Sequence, residues 1–188
     1  SSTSGTSSRI ALDQKSSNLQ SESAAKILGD FLGVEKRPLL VLDSVKSLRR
    51  RGEMSARVAA AMSLQPLASD IVFLLQDAEN PKSMKWDVLR DVLLKNEHFI
   101  LYGFSWILWL AWGVAEFPQD IKELLRDKEI SFVHSGGWKK LEAIKVQHDD
   151  FNKAVLRAVG NTSKVVDFYG LVEQMGIIYP MCNTAPVT

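Results

Sequence analysis

The sequence holds a single cysteine, Cys182, among its 188 residues. One thiol excludes an internal disulfide framework and fits a reducing compartment. An excess of either charge is missing too: 23 Lys and Arg stand against 22 Asp and Glu, a formal net charge of +1. That balance supplies no broad basic face for nucleic acid, so none is expected as a partner. The one basic run, Arg49, Arg50 and Arg51, is short and reads as a solvated loop or helix end beside Gly52. The opening residues are Ser, Thr and Gly, without the basic start and apolar run of a secretory signal. The expectation is a cytoplasmic protein. Residues 98–115 contain no Asp, Glu, Lys or Arg, yet a membrane span needs about 20 apolar residues. Gly103, Phe104 and Ser105 also break the run, so it reads as a buried strand followed by a mostly buried helix, and no membrane span is expected.

What is present suits one packed domain. Hydrophobic residues make up 46% and charged residues 24% of a chain long enough to enclose a core. Ser16 and Ser17 can cap a helix that Gly33 stops, with Leu19, Ala24, Ile27, Leu28 and Phe31 on its apolar side. The run 38–43 (PLLVLD) is continuous and apolar, as in a strand buried on both faces. Helical spacing follows at 55–63, a strand at 71–75, and a helix at 86–95 with Val88, Leu89, Val92 and Leu93 inward. Further strands are expected at 99–102, 130–134 and 164–168. Helices are expected at 106–115, after Pro118 to about Lys128, and around 149–159, with a turn at Gly170. Strands alternating with helices predict an α/β fold: one domain over 1–188, with a mostly parallel sheet and helices on both faces.

In such sheets ligands gather at the carboxyl ends of the strands, and three glycine-bearing loops fall near such ends. Thr3, Ser4, Gly5 and Thr6 lie in a Ser/Thr/Gly stretch whose amides and hydroxyls could turn onto phosphate oxygens. The same composition also suits a solvated terminus. Ser135, Gly136 and Gly137 follow a strand, where bare backbone lets a flat ring approach; a plain strand-to-helix turn uses glycine equally well. Tyr169, Gly170, Val172 and Glu173 place an aromatic, a glycine and a carboxylate after another strand. That set could stack on a base and hold Mg²⁺, or could be a core aromatic followed by a turn.

The order of the loops, STSGT then SGG then YGLVE, resembles that of adenylate-forming ligases: acyl-CoA synthetases, adenylation domains and luciferases. The longer segments SRIALD, FVHSGGWKKLE and DFYGLVEQMGIIYP, with RPLLVLDS and ILYGFSW between them, resemble the acyl-protein synthetase (LuxE) family across essentially the whole chain. The resemblance implies the core of the large N-terminal domain of such a ligase. It also implies ATP-dependent activation of a carboxylic acid, of fatty type, as an acyl-adenylate. Transfer to a protein thiol or similar acceptor would follow, with ATP and Mg²⁺ as cofactors and an acyl-CoA reductase-type protein as partner.

Carried over residue by residue, Thr3, Ser4, Gly5 and Thr6 would hold ATP phosphates. Ser135, Gly136 and Gly137 would lie against adenine, Tyr169 with Gly170 would stack on it, and Glu173 would bind the metal. Two departures stand out. Ser7, Ser8 and Arg9 follow Thr6 where the family's loop continues through further glycine, and Val172 replaces the usual Thr, removing a hydroxyl contact to phosphate. Gly103, Phe104, Ser105, His134 and Trp138 fall where relatives form part of the acyl pocket. Trp106 and Trp109 fall there too, or else pack the core together with Trp112. On this resemblance the sequence is expected to hold the nucleotide-binding core alone, without the family's N-terminal segment and C-terminal lid subdomain. The competing readings are a non-catalytic interaction module that kept this fold and a small-ligand carrier built on the tryptophan-rich stretch.

Overall fold

The computed structural model describes residues 22–23, 26–49, 56–136, 138–170 and 178–182. A helix over 26–32 (α1) ends at Gly33, whose φ of +89° and 2.7 Å hydrogen bond to the Gly29 carbonyl close its last turn. The chain then alternates as the apolar runs require. The strands are β1 (Arg37–Val41), β2 (Ala68–Phe73), β3 (His98–Phe104), β4 (Glu129–Ser135), β5 (Lys164–Gly170) and β6 (Ile178–Cys182). The helices are α2 (Ala56–Met62), α3 (Trp86–Lys95), α4 (Ser105–Leu108), α5 (Gln119–Leu125), α6 (Trp138–Ala143) and α7 (His148–Leu156). Short 3₁₀ turns cover Val45–Arg49 and Gln65–Leu67.

The strands form one sheet in the order β2-β1-β3-β4-β5-β6. The first five are parallel, and β6 adds antiparallel to β5. The direction of winding reverses between β1 and β3, which makes that crevice the switch point of the sheet.

Alternation along the strands builds two cores. Leu40, Phe99, Leu101, Ile130, Phe132 and Val165 face α3, α4, α5 and α7. Leu39, Val41, Ile100, Tyr102, Val133 and Val166 face Leu28 and Leu32 of α1 and Ala61 of α2. Central parallel strands covered on both faces must be apolar at every position, and β3 is buried from Phe99 to Gly103.

The charge-free stretch divides as its glycine break requires, into β3 and α4. Helix α4 then widens into a π turn over Trp109–Gly113, where the Val114 amide donates to the Trp109 carbonyl at 2.9 Å. Trp112 is fully buried, with its indole N–H on the Val155 carbonyl at 3.1 Å and its ring edge-on to Phe117 and Phe132. This tryptophan is core. No helix among the described residues is long and apolar enough to cross a membrane.

Some boundaries differ from the sequence expectation. Strand β2 starts at Ala68 rather than 71, because an edge strand tolerates the exposed Ser69 and Asp70. Leu74 and Leu75 are fully buried but lie past its end, Leu75 bridging to Met84. Gly170 does not turn: it is the last residue of β5, paired with Ile178. Helix α6 and strand β6 were not anticipated.

Candidate functional site

Parallel strands in register bring the motif residues side by side. Gly103 pairs with His134 and Phe104 with Ser135 across β3 and β4, and His134 pairs with Asp167 across β4 and β5. The row Gly103, His134, Asp167 therefore crosses three adjacent strands near their carboxyl ends.

Gly103 is buried, and a Cβ there would lie 3.1 Å from Leu42 Cδ1, so the missing side chain is space that Leu42 fills. Ser105, at the start of α4, is 2% exposed. Its Oγ shares a 2.9 Å hydrogen bond with His134 Nδ1, and its amide donates to the Gly136 carbonyl at 3.1 Å. Gly136 has φ +62°, the left-handed region, and a Cβ there would meet the Phe104 ring at 3.4 Å. Ser135 Oγ and Tyr102 OH are 2.9 Å apart, tying the loop to the middle of β3.

The electrostatics follow from burial. His134 is pushed down to about 3, first by loss of water and then by His148, so its imidazole is neutral near pH 7. Burial pushes the Asp167 carboxyl up, with His148 pulling the other way. Burial likewise raises the Tyr102 phenol. Asp167 Oδ1 lies 3.7 Å from His134 Nδ1, the same nitrogen that meets Ser105. A serine-histidine-acid relay needs the serine and the acid on opposite ring nitrogens. Ser105, His134 and Asp167 are therefore no such relay; His134 holds the hydroxyl in place.

Phe151 of α7 forms the floor, fully buried, with ring centroids 4.8 Å from His134 and 5.4 Å from Trp138. Trp109 stacks on the same ring at 6.2 Å. Trp106 is half-buried beneath Lys140, whose Nζ is 5.8 Å from the ring centre.

At the switch point, Asp43 and Ser44 follow β1 and are both buried. One Asp43 oxygen accepts from the Ser44 amide at 2.7 Å and from Ser47 Oγ at 2.6 Å. The other lies 3.3 Å from Arg57 Nε without hydrogen-bond geometry.

The structure thus brings together Gly103, Phe104, Ser105, His134, Ser135, Gly136 and Trp138, with the backbone of Tyr169 and Gly170 at the end of the neighbouring strand β5. Thr3, Ser4, Gly5, Thr6, Gly137, Val172 and Glu173 lie outside the described residues. Among the described residues no cluster of His, Cys, Asp and Glu could hold a metal ion. Tyr102, His148 and the Asp43–Arg57 pair were not anticipated as parts of these strand ends, and Asp167, within the third loop segment, was given no role there. Asp167 stands two residues before Tyr169 and opens the segment DFYGLVE, a local signal; the others become neighbours only through strand register and helix packing.

Comparison with known proteins agrees with this architecture. Residues 1–186 match the family model described as acyl-protein synthetase, LuxE, and the chain belongs to that family. None of the curated proteins matches the sequence.

Proposed function

We propose that this member of the acyl-protein synthetase family activates a carboxylic acid with ATP, forming an acyl-adenylate whose acyl group passes to a protein thiol or similar acceptor. The observation that supports this reading is the convergence of the 103–105, 134–136 and 167–170 segments at adjoining strand ends. A doubly wound sheet binds its ligand at such ends.

In the reaction a carboxylate oxygen attacks the α-phosphorus. The new O–P bond forms as the bond to pyrophosphate breaks, and pyrophosphate carries away the electron pair. No protein nucleophile is required, so the chain's task is to orient two anions and offset their charge. Gly136, half of the glycine pair, presents bare backbone in a left-handed turn, a fit for the flat base of a nucleotide. Ser105 offers a hydroxyl fixed by neutral His134, suited to hydrogen-bonding a carboxylate without adding charge. The ring set of Phe104, Trp106 and Trp138 supplies apolar wall for a fatty acyl chain.

His134 is neutral, so the countercharge to the phosphates comes from elsewhere. We assign it to Mg²⁺ that Glu173 would hold, with Thr3, Ser4, Gly5 and Thr6 adding uncharged hydrogen-bond donors to the phosphates; these five residues lie outside the described ones. Mg²⁺, when bound, supplies charge neutralisation of the departing pyrophosphate. A cytoplasmic setting and a reductase-type partner that consumes the acyl product complete the reading.

The test is carboxylate-dependent exchange of pyrophosphate into ATP, run with acids of several chain lengths. Exchange that needs a fatty acid supports the proposal; ATP binding without exchange for any acid refutes adenylation. The replacement of Thr by Val172 favours a second reading, an interaction module that kept the fold without the chemistry. Under that reading neither ATP nor an acyl-sulfamoyl-adenosine protects the 136–137 or 169–173 backbone amides from hydrogen exchange.

A further inference from the structure

His148 is the first residue of α7 and is exposed to solvent. Its imidazole lies nearly parallel to the Trp138 indole, with ring centroids 3.8 Å apart and an interplanar angle of 13°. Trp138 is the first residue of α6 and follows Gly137 directly in sequence. Trp138 also meets His134, with centroids 6.5 Å apart at 29°, and stands edge-on to Phe151. The indole thus neighbours three rings. Two of them, His134 and Phe151, are buried in the core. His148 is the exposed one.

We propose that His148 is a positioning residue for the glycine loop: its ring, laid flat on Trp138, holds the first residue of α6 and so fixes where the Ser135 and Gly136 backbone meets its ligand. That the ligand is a nucleotide base rests on the function proposed above.

Three observations support this role over surface decoration. The stack joins two helices, α6 and α7, whose connection over 144–147 is largely exposed, so the ring contact ties the starts of both helices together. The stacked imidazole also sits close enough to act electrostatically on two strand ends at once, His134 of β4 and Asp167 of β5. Those residues immediately precede Ser135 and Phe168, the entries to the two loops assigned to adenine. The charged neighbours on the helices are Asp149 and Asp150 in the first turn of α7 and Lys139 and Lys140 on α6, all exposed.

The experiment compares the parent chain with H148A, which removes the ring, and H148F, which keeps a ring without its nitrogens. The readouts are amide hydrogen exchange over 135–141 without ligand and the Kd for ATP. An aromatic stack of ordinary strength corresponds to roughly a 3- to 10-fold effect. H148A is expected to speed exchange over 135–141 by about that factor and to weaken ATP by a similar one, with H148F restoring both to within about twofold. Unchanged exchange in H148A overturns the proposal, as does H148F behaving like H148A. If the parent binds no ATP while H148A still loosens 135–141, the positioning role stands and the nucleotide reading falls.

Discussion

Acid should weaken this fold through His134, and the size of the effect follows from its burial. The imidazole is held near 3 in the folded chain against 6.5 when free. Because the folded value is depressed, the unfolded chain binds more protons between these limits, and stability falls as pH falls. The group exacts nothing above its unfolded value, and the loss runs from pH 6.5 down towards 3. Each unit in that window costs about 1.4 kcal/mol, so moving from pH 6.5 to 5 should cost about 2 kcal/mol. Asp167 has the opposite sign: its raised carboxyl takes up a proton in the folded state first, so acidification through its range favours folding. The two must therefore be separated. Urea denaturation from pH 7.5 to 5 on the parent, H134Q and D167N does so. H134Q should flatten the acid limb, its amide still within reach of Ser105, while D167N should steepen it. If the parent and H134Q lose stability in parallel down to pH 5, His134 is not a buried neutral imidazole, and the account of how Ser105 is held fails with it.

Gly103→Ala should cost about 1–3 kcal/mol by overpacking Leu42, and pairing it with Leu42→Val should recover part of that loss in urea denaturation. Trp112→Ala should cost about 3–5 kcal/mol, since it removes a fully buried ring and its bond to the Val155 carbonyl; a loss under about 1 kcal/mol would contradict the packing of the π turn. Arg57→Leu leaves the buried Asp43 carboxylate without its ion pair and should destabilise by about 2–3 kcal/mol, with Asp43→Asn in the same chain restoring some of it. Gly160→Ala should lower the melting temperature by several degrees on the scale of about 1–3 kcal/mol, because its Cβ would sit 2.9 Å from the Lys128 carbonyl oxygen.

The fold was legible where burial imposes a period. Strand β1 showed as the run 38–43 because both of its faces are covered, and α3 appeared over 86–95 because only one of its faces is. Edge strands β2 and β6 were harder, since half of what stabilises them lies on other strands. Helix α6 was lost behind the glycine pair, being a short helix with only Leu141 fully buried. At the site, motif order located the strand ends but not their electrostatics. Nothing local says that Ser105 meets His134, 29 residues later, or that His148 reaches Trp138; strand register decides the first and helix packing the second. The reading of Trp106, Trp109 and Trp112 as one group also divided: Trp112 is core, while the other two are half-buried near the strand ends.

The two borders of the sheet decide how the molecule behaves towards its own copies. A parallel sheet left open at β5 would offer a row of unpaired amides to any extended chain, the usual start of aggregation. Strand β6 turns back and occupies that row, pairing from Val166 to Gly170. It carries Pro180, a residue that strands accept at edges and not in their midst. At the other border β2 presents Ser69 and Asp70 to water. Among the described residues neither border invites a further strand from another copy, and crowding copies together during synthesis should favour separate folded units over shared sheets.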